Sequence, residues 1–186
     1  MNKKYYSPRE DTSLFLEAIE EKNFENKKIL EMGIGSGIIA KKCLEENPKK
    51  VVAVDKNKHA VRKSRKELSD FNNKKIIKSD LFANLNQEKF DYILFNPPYL
   101  PTEKEPLNEE ERAWKGGKGG IEVLKRFLSE SKDYLEEHGK IIILVSDLGD
   151  INSLKNYLEK MGFEYKLLAK EKLFFEKLSV LELKNN

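Results

Sequence analysis

The tetrapeptide Asn96-Pro97-Pro98-Tyr99 combines residue types that can hold a planar NH2 group. The Asn96 side-chain oxygen and a nearby backbone carbonyl can each accept one N–H, while the Tyr99 ring can lie against the flat face of the group. Both prolines lack an amide proton and have a restricted φ, so they form a stiff corner. The alternative is a proline turn with a buried tyrosine, and the tetrapeptide alone does not separate the two.

A second motif, Glu31-Met32-Gly33-Ile34-Gly35-Ser36-Gly37, directly follows a predicted strand. Glycines at such a place let the backbone turn tightly and approach a ligand closely. A dinucleotide fingerprint would need its third glycine at position 38, where this chain has Ile38. The acid before the first glycine, Glu31, favours a cationic ligand with an ammonium group over a pyrophosphate. A tight turn without any ligand is the alternative.

Two further acids, Asp55 and Asp80, are predicted to follow strands. Asp55 lies 18 residues after Gly37 and can accept hydrogen bonds from ribose hydroxyls. Asp80, in Ser79-Asp80-Leu81, can accept from an adenine amino group. Capping of a following helix is the alternative for each acid. The glycine motif favours ribose for Asp55, whereas both interpretations stay open for Asp80.

Strands alternating with helices must position these groups. Apolar runs without polar alternation predict buried strands, at residues 28–32, 50–55, 74–79, 91–95 and 140–145. Helical periodicity predicts helices after residues 11–12 and at about 37–46, 57–70, 121–137 and 152–161. The last two strands, 163–169 and 173–183, are expected to be antiparallel because the link between them is too short for a crossover.

This order of elements predicts an α/β fold, namely a Rossmann-like, doubly wound sheet of seven strands, mostly parallel with an antiparallel C-terminal strand. In such a sheet the carboxyl ends of the strands face one crevice, so a nucleoside and a planar amine can meet there. Residues 100–120 show no periodicity and contain further prolines. We expect them to form a loop that shapes the substrate entrance.

Composition excludes several classes of site. The 186 residues include one cysteine, Cys43, and two histidines far apart, His59 and His138, which excludes an intrachain disulfide and any metal-ligand spacing. The net charge of +3 comes from interspersed charges, which is not by itself a nucleic-acid footprint. No signal segment and no apolar run of about 20 residues is present, so we expect a single cytoplasmic domain without a membrane span.

In their order along the chain, these motifs resemble those of class I S-adenosylmethionine-dependent methyltransferases. Two further stretches, Tyr6-x-Pro8-x-Glu10-Asp11-Thr12 and Ala113-Trp114-x-Gly116-Gly117-x-x-Gly120, resemble the HemK-like release-factor glutamine methyltransferases of the archaeal and eukaryotic branch. The resemblance covers about residues 6–183. The segment before the first strand is short for the helical domain of the bacterial enzymes, which also favours this branch.

The resemblance implies cofactor contacts at the strand ends and at the start of the first helix: Thr12, Glu31, Gly33, Gly35, Gly37, Asp55, Asp80, Leu81 and Asn96. Glu31 and Gly33 would hold the methionine part of S-adenosylmethionine, Asp55 the ribose, and Asp80 with Leu81 the adenine. The whole chain, 1–186, would be one methyltransferase domain. Its first 26 residues would form a helical segment over the cofactor, with Thr12 closing the site.

The resemblance also implies a substrate and a catalytic set. Asn96 and the Pro97 carbonyl would hold the target amide, with Tyr99 or neighbouring apolar groups such as Pro98 packing on it. The expected reaction is N5-methylation of a protein glutamine, the one in the Gly-Gly-Gln loop of a translation release factor. A small zinc-binding activator protein is the expected partner, pairing along the edge of the third strand, 74–79.

Two rival functions use the same residues. A nucleic-acid N-methyltransferase acting on an adenine or guanine exocyclic amine would need the same clamp. The chain has no concentrated basic stretch with interleaved aromatic residues, so direct nucleic-acid binding is not expected. A non-catalytic cofactor-binding subunit is the other rival, and the intact tetrapeptide 96–99 argues against it.

Overall fold

The computed structural model of the chain describes residues 10–101, 115–117 and 120–185. The helices are α1 (Glu10–Ile19), α2 (Ile38–Leu44), α3 (Lys58–Glu67), α4 (Glu122–Ser131), followed by a 3-10 turn (Lys132–Tyr134), and α5 (Ile151–Lys160). The strands are β1 (Lys28–Met32), β2 (Lys50–Asp55), β3 (Lys74–Lys78), β4 (Phe90–Phe95), β5 (Leu100–Pro101), β6 (Lys115–Gly117), β7 (Leu135–Ser146), β8 (Phe163–Lys172) and β9 (Lys177–Asn185).

Seven of these strands form one sheet in the order β3-β2-β1-β4-β7-β9-β8. Strand β9 runs antiparallel to both of its neighbours, β7 and β8, and the other neighbouring pairs are parallel. The predicted seven-stranded, mostly parallel sheet is therefore confirmed. Strand order reverses between β1 and β4, and in open α/β sheets this switch point is where a crevice forms and ligands bind.

Helices cover both faces of the sheet, which explains why the central strands are continuously apolar. Ile29 and Leu94 point into one core cluster with Phe15 of α1 and with side chains of α2 and α3. Their chain neighbours Leu30 and Ile93 point into the other cluster, under α4 and α5. Because successive side chains of a strand alternate between faces, a strand buried on both sides needs apolar residues at every position.

Strand β7 begins earlier than the sequence pattern predicts. The predicted helix over 121–137 ends at Ser131 and a 3-10 turn, and β7 starts at Leu135, opposite Phe90 of β4. Gly139 allows this close pairing, because a Cβ there would lie 2.8 Å from Leu135 Cδ1 and 2.9 Å from the Phe90 carbonyl oxygen. His138, which directly follows the predicted helix over 121–137, therefore lies within β7 rather than at a helix end.

The predicted strand over residues 173–183 also differs from the structure. Strand β8 continues to Lys172 and β9 begins only at Lys177, so Leu173 to Glu176 form the turn between them. Two short strands, β5 and β6, pair in parallel inside the segment 100–120 that was expected to be a loop. Residues 102–114, among them Trp114, residues 118–119 and the motif residues Tyr6 and Pro8 lie outside the described residues.

A buried carboxylate ties the chain after α1 to the sheet. Glu182 of β9 is 6% exposed and accepts a hydrogen bond from Lys22, with Lys166 Nζ at 3.1 Å and Lys140 Nζ at 3.7 Å. Burial alone would raise the pKa of Glu182, but the hydrogen bonds from Lys22 and Lys166 outweigh it and hold the pKa below its usual range. No helix within the described ranges is long and apolar enough to cross a membrane.

Candidate active site

A crevice lies at the carboxyl ends of β1 to β4, at the switch point of the sheet. Its walls include the strand ends, the first turn of α1 and Val123 of α4. It brings together all but one of the site residues expected from the sequence: Thr12, Glu31, Gly33, Gly35, Asp55, Asp80, Leu81, Asn96, Pro97, Pro98 and Tyr99. The geometry thus unites residues that are far apart along the chain.

The glycine motif forms a tight loop between β1 and α2. Gly33 and Gly35 have φ values of +75° and +49°, in the left-handed region that glycine adopts without steric cost. The amides of Gly33 and Ile34 both donate to the Val54 carbonyl of β2, at 2.8 and 2.9 Å. These bonds hold the loop against β2, with its backbone exposed to the crevice.

Gly37, which the resemblance implies as a cofactor contact, is absent from the residues that line the crevice. It precedes α2 with a φ of +82° and is buried against α3. A Cβ at this position would lie 3.1 Å from Ser64 Oγ. The structure therefore gives Gly37 a role in packing α2 closely against α3.

Asp55 links the end of β2 to the glycine loop. Its Oδ2 accepts from the Gly35 amide at 2.9 Å, and its Oδ1 accepts from the Asn57 amide at 2.8 Å. The helix cap of α3 is Asn57, which accepts from the His59 amide at 2.8 Å, so capping is not the role of Asp55. A carboxylate offers about four acceptor sites, so Asp55 can also accept from ribose hydroxyls.

Glu31 is a buried acid at the floor of the crevice. It is 3% exposed, and its Oε2 has no hydrogen-bond partner among the described residues. Burial raises the pKa of Glu31 well above its usual range; the backbone amide of Ala40 lowers it and the charge of Asp55 raises it further. A buried carboxylate with one unpaired oxygen is costly, and an ammonium group placed beside that oxygen would relieve the cost.

The turn after β3 presents Asp80 and Leu81 to the crevice. Ser79 fixes this turn, because its Oγ donates to the Leu81 carbonyl at 2.8 Å and accepts from the Asn84 amide at 3.0 Å. Leu81 adopts a φ of +48°, a strained conformation for a bulky residue of the kind found at ligand sites. Asp80 is exposed and accepts from Arg126 Nη2 at 3.3 Å.

The tetrapeptide corner follows β4 directly and carries the most specific contact of the site. Asn96 Nδ2 donates to Asp11 Oδ2 of α1 at 3.1 Å, whereas Asn96 Oδ1 is buried without a partner among the described residues. An ionised carboxylate can only accept hydrogen bonds, so it fixes the amide with its NH2 group toward Asp11. Asp11 is held in turn by the Thr12 amide, which donates to Asp11 Oδ1 at 2.7 Å.

Asp11 is the site residue that the sequence reasoning missed. It stands in the motif Glu10-Asp11-Thr12, but only Thr12 was assigned to the site. The signal was the occurrence of an acid in the first turn of a helix, which by itself indicates only a favourable helix-dipole contact. Pro97 is buried, Tyr99 is half-buried, and both border the crevice beside Asn96.

A family model described as the methyltransferase small domain matches residues 10–175, which include every crevice residue named above. The chain belongs to this family. The methyltransferase is 41% identical over 180 residues to the "Putative protein N5-glutamine methyltransferase" of Methanocaldococcus jannaschii, a match that covers 95% of this chain and 89% of the relative. It is 31% identical over 206 residues to the "eRF1 methyltransferase catalytic subunit mtq2" of Schizosaccharomyces pombe, covering 96% and 88%.

Solved structures agree with this membership. The methyltransferase superposes on a chain of the E. cuniculi Mtq2–Trm112 complex, described as responsible for methylation of the eRF1 translation termination factor. The TM-score is 0.78 and the identity 26%, over 98% of this chain and 99% of that one. A methyltransferase from Pyrococcus furiosus, 23% identical over 97% and 88% of the two chains, has a TM-score of 0.73 and shows the shared fold. The described part of the methyltransferase contains no cluster of histidine, cysteine or acidic residues that could hold a metal ion.

Proposed function

We propose that this methyltransferase transfers a methyl group from S-adenosylmethionine to the side-chain nitrogen of a protein glutamine. The proposed substrate is the Gly-Gly-Gln loop of a translation release factor, and we expect the reaction to take place in the cytoplasm. One observation carries the proposal: Asn96 presents a buried Oδ1 that has no partner in the described part of the chain, and Asp11 holds its amide in that orientation. The names of the relatives from Methanocaldococcus jannaschii and Schizosaccharomyces pombe support the choice of glutamine.

The crevice residues fit the charged and polar parts of S-adenosylmethionine, which supplies an electrophilic methyl group on a sulfonium centre. Glu31, whose Oε2 has no hydrogen-bond partner within the described ranges, would receive the ammonium group of the methionine part. Asp55 would accept from the ribose hydroxyls, and Leu81 and Asp80 would border the adenine. Thr12, in the first turn of α1, would lie over the cofactor as part of the expected covering segment 1–26, of which residues 1–9 lie outside the described residues.

The clamp solves a specific chemical difficulty, which is that an amide nitrogen is a poor nucleophile because its lone pair is delocalised into the carbonyl. Asn96 Oδ1 and the Pro97 carbonyl oxygen would each accept one N–H of the target amide. Two acceptors aligned on these protons localise the lone pair on nitrogen and direct it at the methyl group. Such positioning can contribute several kcal/mol to lowering the barrier. The surplus proton leaves nitrogen only after the new bond forms, so no strong base is required.

The direct test is mass spectrometry of the cognate release factor after incubation with the methyltransferase and S-adenosylmethionine. The expected result is one added methyl group on the glutamine of the Gly-Gly-Gln loop. A release factor in which that glutamine is replaced by alanine is the matched control and should stay unmodified. Methylation of DNA or RNA amino groups instead, with none on the release factor, would overturn the proposal in favour of a nucleic-acid enzyme.

We also propose that a small zinc-binding activator protein pairs with the edge of β3. Among the described strands, β2 is the only neighbour of β3 in the sheet, so the outer backbone groups of β3 can accept an added strand. The Ile76 carbonyl already accepts from Arg65 Nη2 at 2.7 Å, so an added strand would pair with other groups of β3 or displace this side chain. The structural relative in complex with Trm112 supports this type of partnership.

Hydrogen exchange tests the activator proposal. Amides of residues 74–78 should become protected when the cognate activator is added. The other edge strand of the sheet, β8, is the internal control and should keep its exchange rates. Protection at β8 with none at β3 would place the activator on the opposite edge and contradict the proposal.

A further inference from the structure

The turn between β8 and β9 carries two exposed phenylalanines. Phe174 is 92% exposed and Phe175 is 84% exposed, although phenylalanine is among the residues most often found inside proteins. Their rings contact each other edge to face, with centroids 4.5 Å apart and an angle of 81° between the ring planes. We call this pair, with its flanking turn residues Leu173 and Glu176, the aromatic tip.

The aromatic tip is held in place by hydrogen bonds to the end of β7. The Leu173 amide donates to the Glu176 carbonyl at 2.8 Å and closes the turn. Ser146 Oγ donates to Glu176 Oε2 at 2.6 Å, and the Lys177 amide donates to Asp147 Oδ1 at 2.7 Å. A turn whose backbone is already held in this way loses less conformational entropy when it binds a partner.

The same contacts place the aromatic tip on the crevice side of the sheet. Phe95, the residue before Asn96, lies opposite Ile143 of β7, and β7 continues to Ser146, which lies opposite Leu178 of β9. The tip therefore projects beyond the carboxyl ends of the parallel strands, where the crevice opens. It joins β9 to β8, which are two and three strand spacings from β4, so it lies about 10–14 Å from β4 across the sheet.

We propose that the aromatic tip is a docking point for the protein substrate, an inference that rests on the proposed function. A protein that delivers a glutamine side chain to Asn96 must cover this end of the sheet. A standard interface buries about 800 Å² on each partner, a disc about 16 Å in radius, so a contact centred on Asn96 includes the tip. Exposed aromatic residues that become buried in the centre of an interface commonly dominate its affinity.

Charge at the base of the aromatic tip indicates the chemistry of the partner surface. Lys172 and Lys177 lie directly opposite each other in the β8–β9 pair, and both are exposed. Carboxylates lie beside this pair, because Glu171 precedes Lys172, Glu176 precedes Lys177, and Asp147 accepts from the Lys177 amide, so the base of the tip carries both signs of charge. The proposed partner surface is therefore an apolar patch bordered by polar side chains of both charges, next to the loop that carries the target glutamine.

The test compares the double variant Phe174→Ser/Phe175→Ser with the wild-type enzyme on two substrates, the intact release factor and a short Gly-Gly-Gln peptide. We expect KM for the intact protein to rise about tenfold or more, a typical cost of removing interface aromatics. Turnover at saturation, turnover of the peptide and the thermal midpoint should be unchanged because the rings are solvent-exposed. Tyr165→Ser, an exposed aromatic of β8 far from the turn, is the matched control and should leave KM unchanged.

An unchanged KM for the intact protein in the double variant would overturn the docking proposal while leaving the proposed function intact. Equal losses on protein and peptide would also overturn it, because they would indicate a disturbed active site. If the wild-type enzyme methylates neither substrate, the proposed function fails and the docking proposal fails with it. Sedimentation that shows a wild-type dimer and a monomeric double variant would assign the tip to a second copy of the chain and overturn the substrate assignment.

Discussion

The side-chain amide of Asn96 donates through Nδ2 to Oδ2 of Asp11 at 3.1 Å, across 85 positions of sequence. This bond joins the first turn of α1 to the corner after β4. Because the carboxylate has no proton to give, it holds Asn96 in one of its two amide orientations and leaves Oδ1 for a target N–H. The proposed clamp thus has a positioning residue on a different element.

Asp11→Asn should lower kcat about tenfold, the value of one net hydrogen bond to a positioned group. Asparagine at position 11 can donate as well as accept, so Asn96 is free to turn over and present its NH2 group to the target. The measurement is kcat on the release factor, together with the S-adenosylmethionine affinity by calorimetry, which should change little.

A double-mutant cycle separates this positioning role from a general structural one. In an Asn96→Ala background, Asp11→Asn should have no further effect on kcat, because the group that Asp11 positions is gone. Additive losses in the double variant would show that Asp11 acts independently of Asn96.

Asn96→Ala should lower kcat by about 10²-fold or more, the usual cost of losing one preorganised polar group at a reacting centre. Cofactor affinity should be nearly unchanged, because the proposed cofactor contacts are mainly at other strand ends. The measurement is single-turnover methyl transfer with calorimetry in parallel. Wild-type turnover in this variant would refute the clamp.

Asp55→Ala should weaken S-adenosylmethionine binding by about 1.5–3 kcal/mol for each charge-assisted hydrogen bond lost. The change also frees the Gly35 amide, which Asp55 holds at 2.9 Å. Asp55→Asn keeps an acceptor for that amide, so comparison of the two variants by calorimetry separates loop support from direct ribose contact. Unchanged affinity in Asp55→Ala would remove this residue from the cofactor site.

Glu31→Gln should stabilise the free protein at pH 7 while weakening cofactor binding. Burial holds the pKa of Glu31 well above the ordinary value of 4.5, so above that pH the folded protein keeps a proton that the unfolded chain has lost. The stability associated with protonated Glu31 is therefore fully present below about pH 4.5 and is lost as pH rises through the folded-state pKa.

Thermal unfolding between pH 4.5 and 8, without cofactor, measures the effect of Glu31→Gln. The thermal midpoint of the wild type should fall more than that of the variant as pH rises across this range, because glutamine has no proton to lose. A variant that is less stable than the wild type at pH 7 would contradict the prediction. Calorimetry on the same variant should show weaker cofactor binding, because a neutral amide cannot pair with an ammonium group.

Glu182→Gln should destabilise the protein at neutral pH by about 1.5–3 kcal/mol, the range for a hydrogen bond between charged groups. The hydrogen bonds from Lys22 and Lys166 hold the pKa of Glu182 below its ordinary value despite burial. Its contribution is therefore present above about pH 4.5 and disappears as pH falls through the folded-state pKa. Denaturant unfolding at pH 7 and at acid pH measures the difference.

The control for Glu182 is Glu164→Gln, which removes an exposed partner of Lys184. Exposed pairs contribute about 0–1 kcal/mol, so this variant should unfold almost as the wild type does. Equal effects of the two substitutions would show that burial of Glu182 adds nothing to its ion pairs.

Sequence alone predicts the parts of the fold and site that depend on local patterns. The apolar run before Asn96 and the glycines after β1 specify a buried strand and a tight loop without reference to distant residues. The contact between Asp11 and Asn96 has no local signature, because it forms only when α1 packs over the sheet. The aromatic tip was predicted as strand, since Phe174 and Phe175 favour β structure, yet the register of β9 on β7 leaves them beyond the last paired residues.

Gly139 lies at the end of the sheet opposite the crevice and carries no reactive group. Any larger residue there would push against Leu135 and the Phe90 carbonyl and force β7 away from β4. Strand β4 runs from Phe90 to the proline corner, with a register shift against β7 between Phe90 and Tyr92, so we expect a displacement at Phe90 to shift the corner that holds the carboxamide. We therefore expect Gly139→Ala to lower the rate of methyl transfer, although the added methyl group contacts none of the reacting atoms.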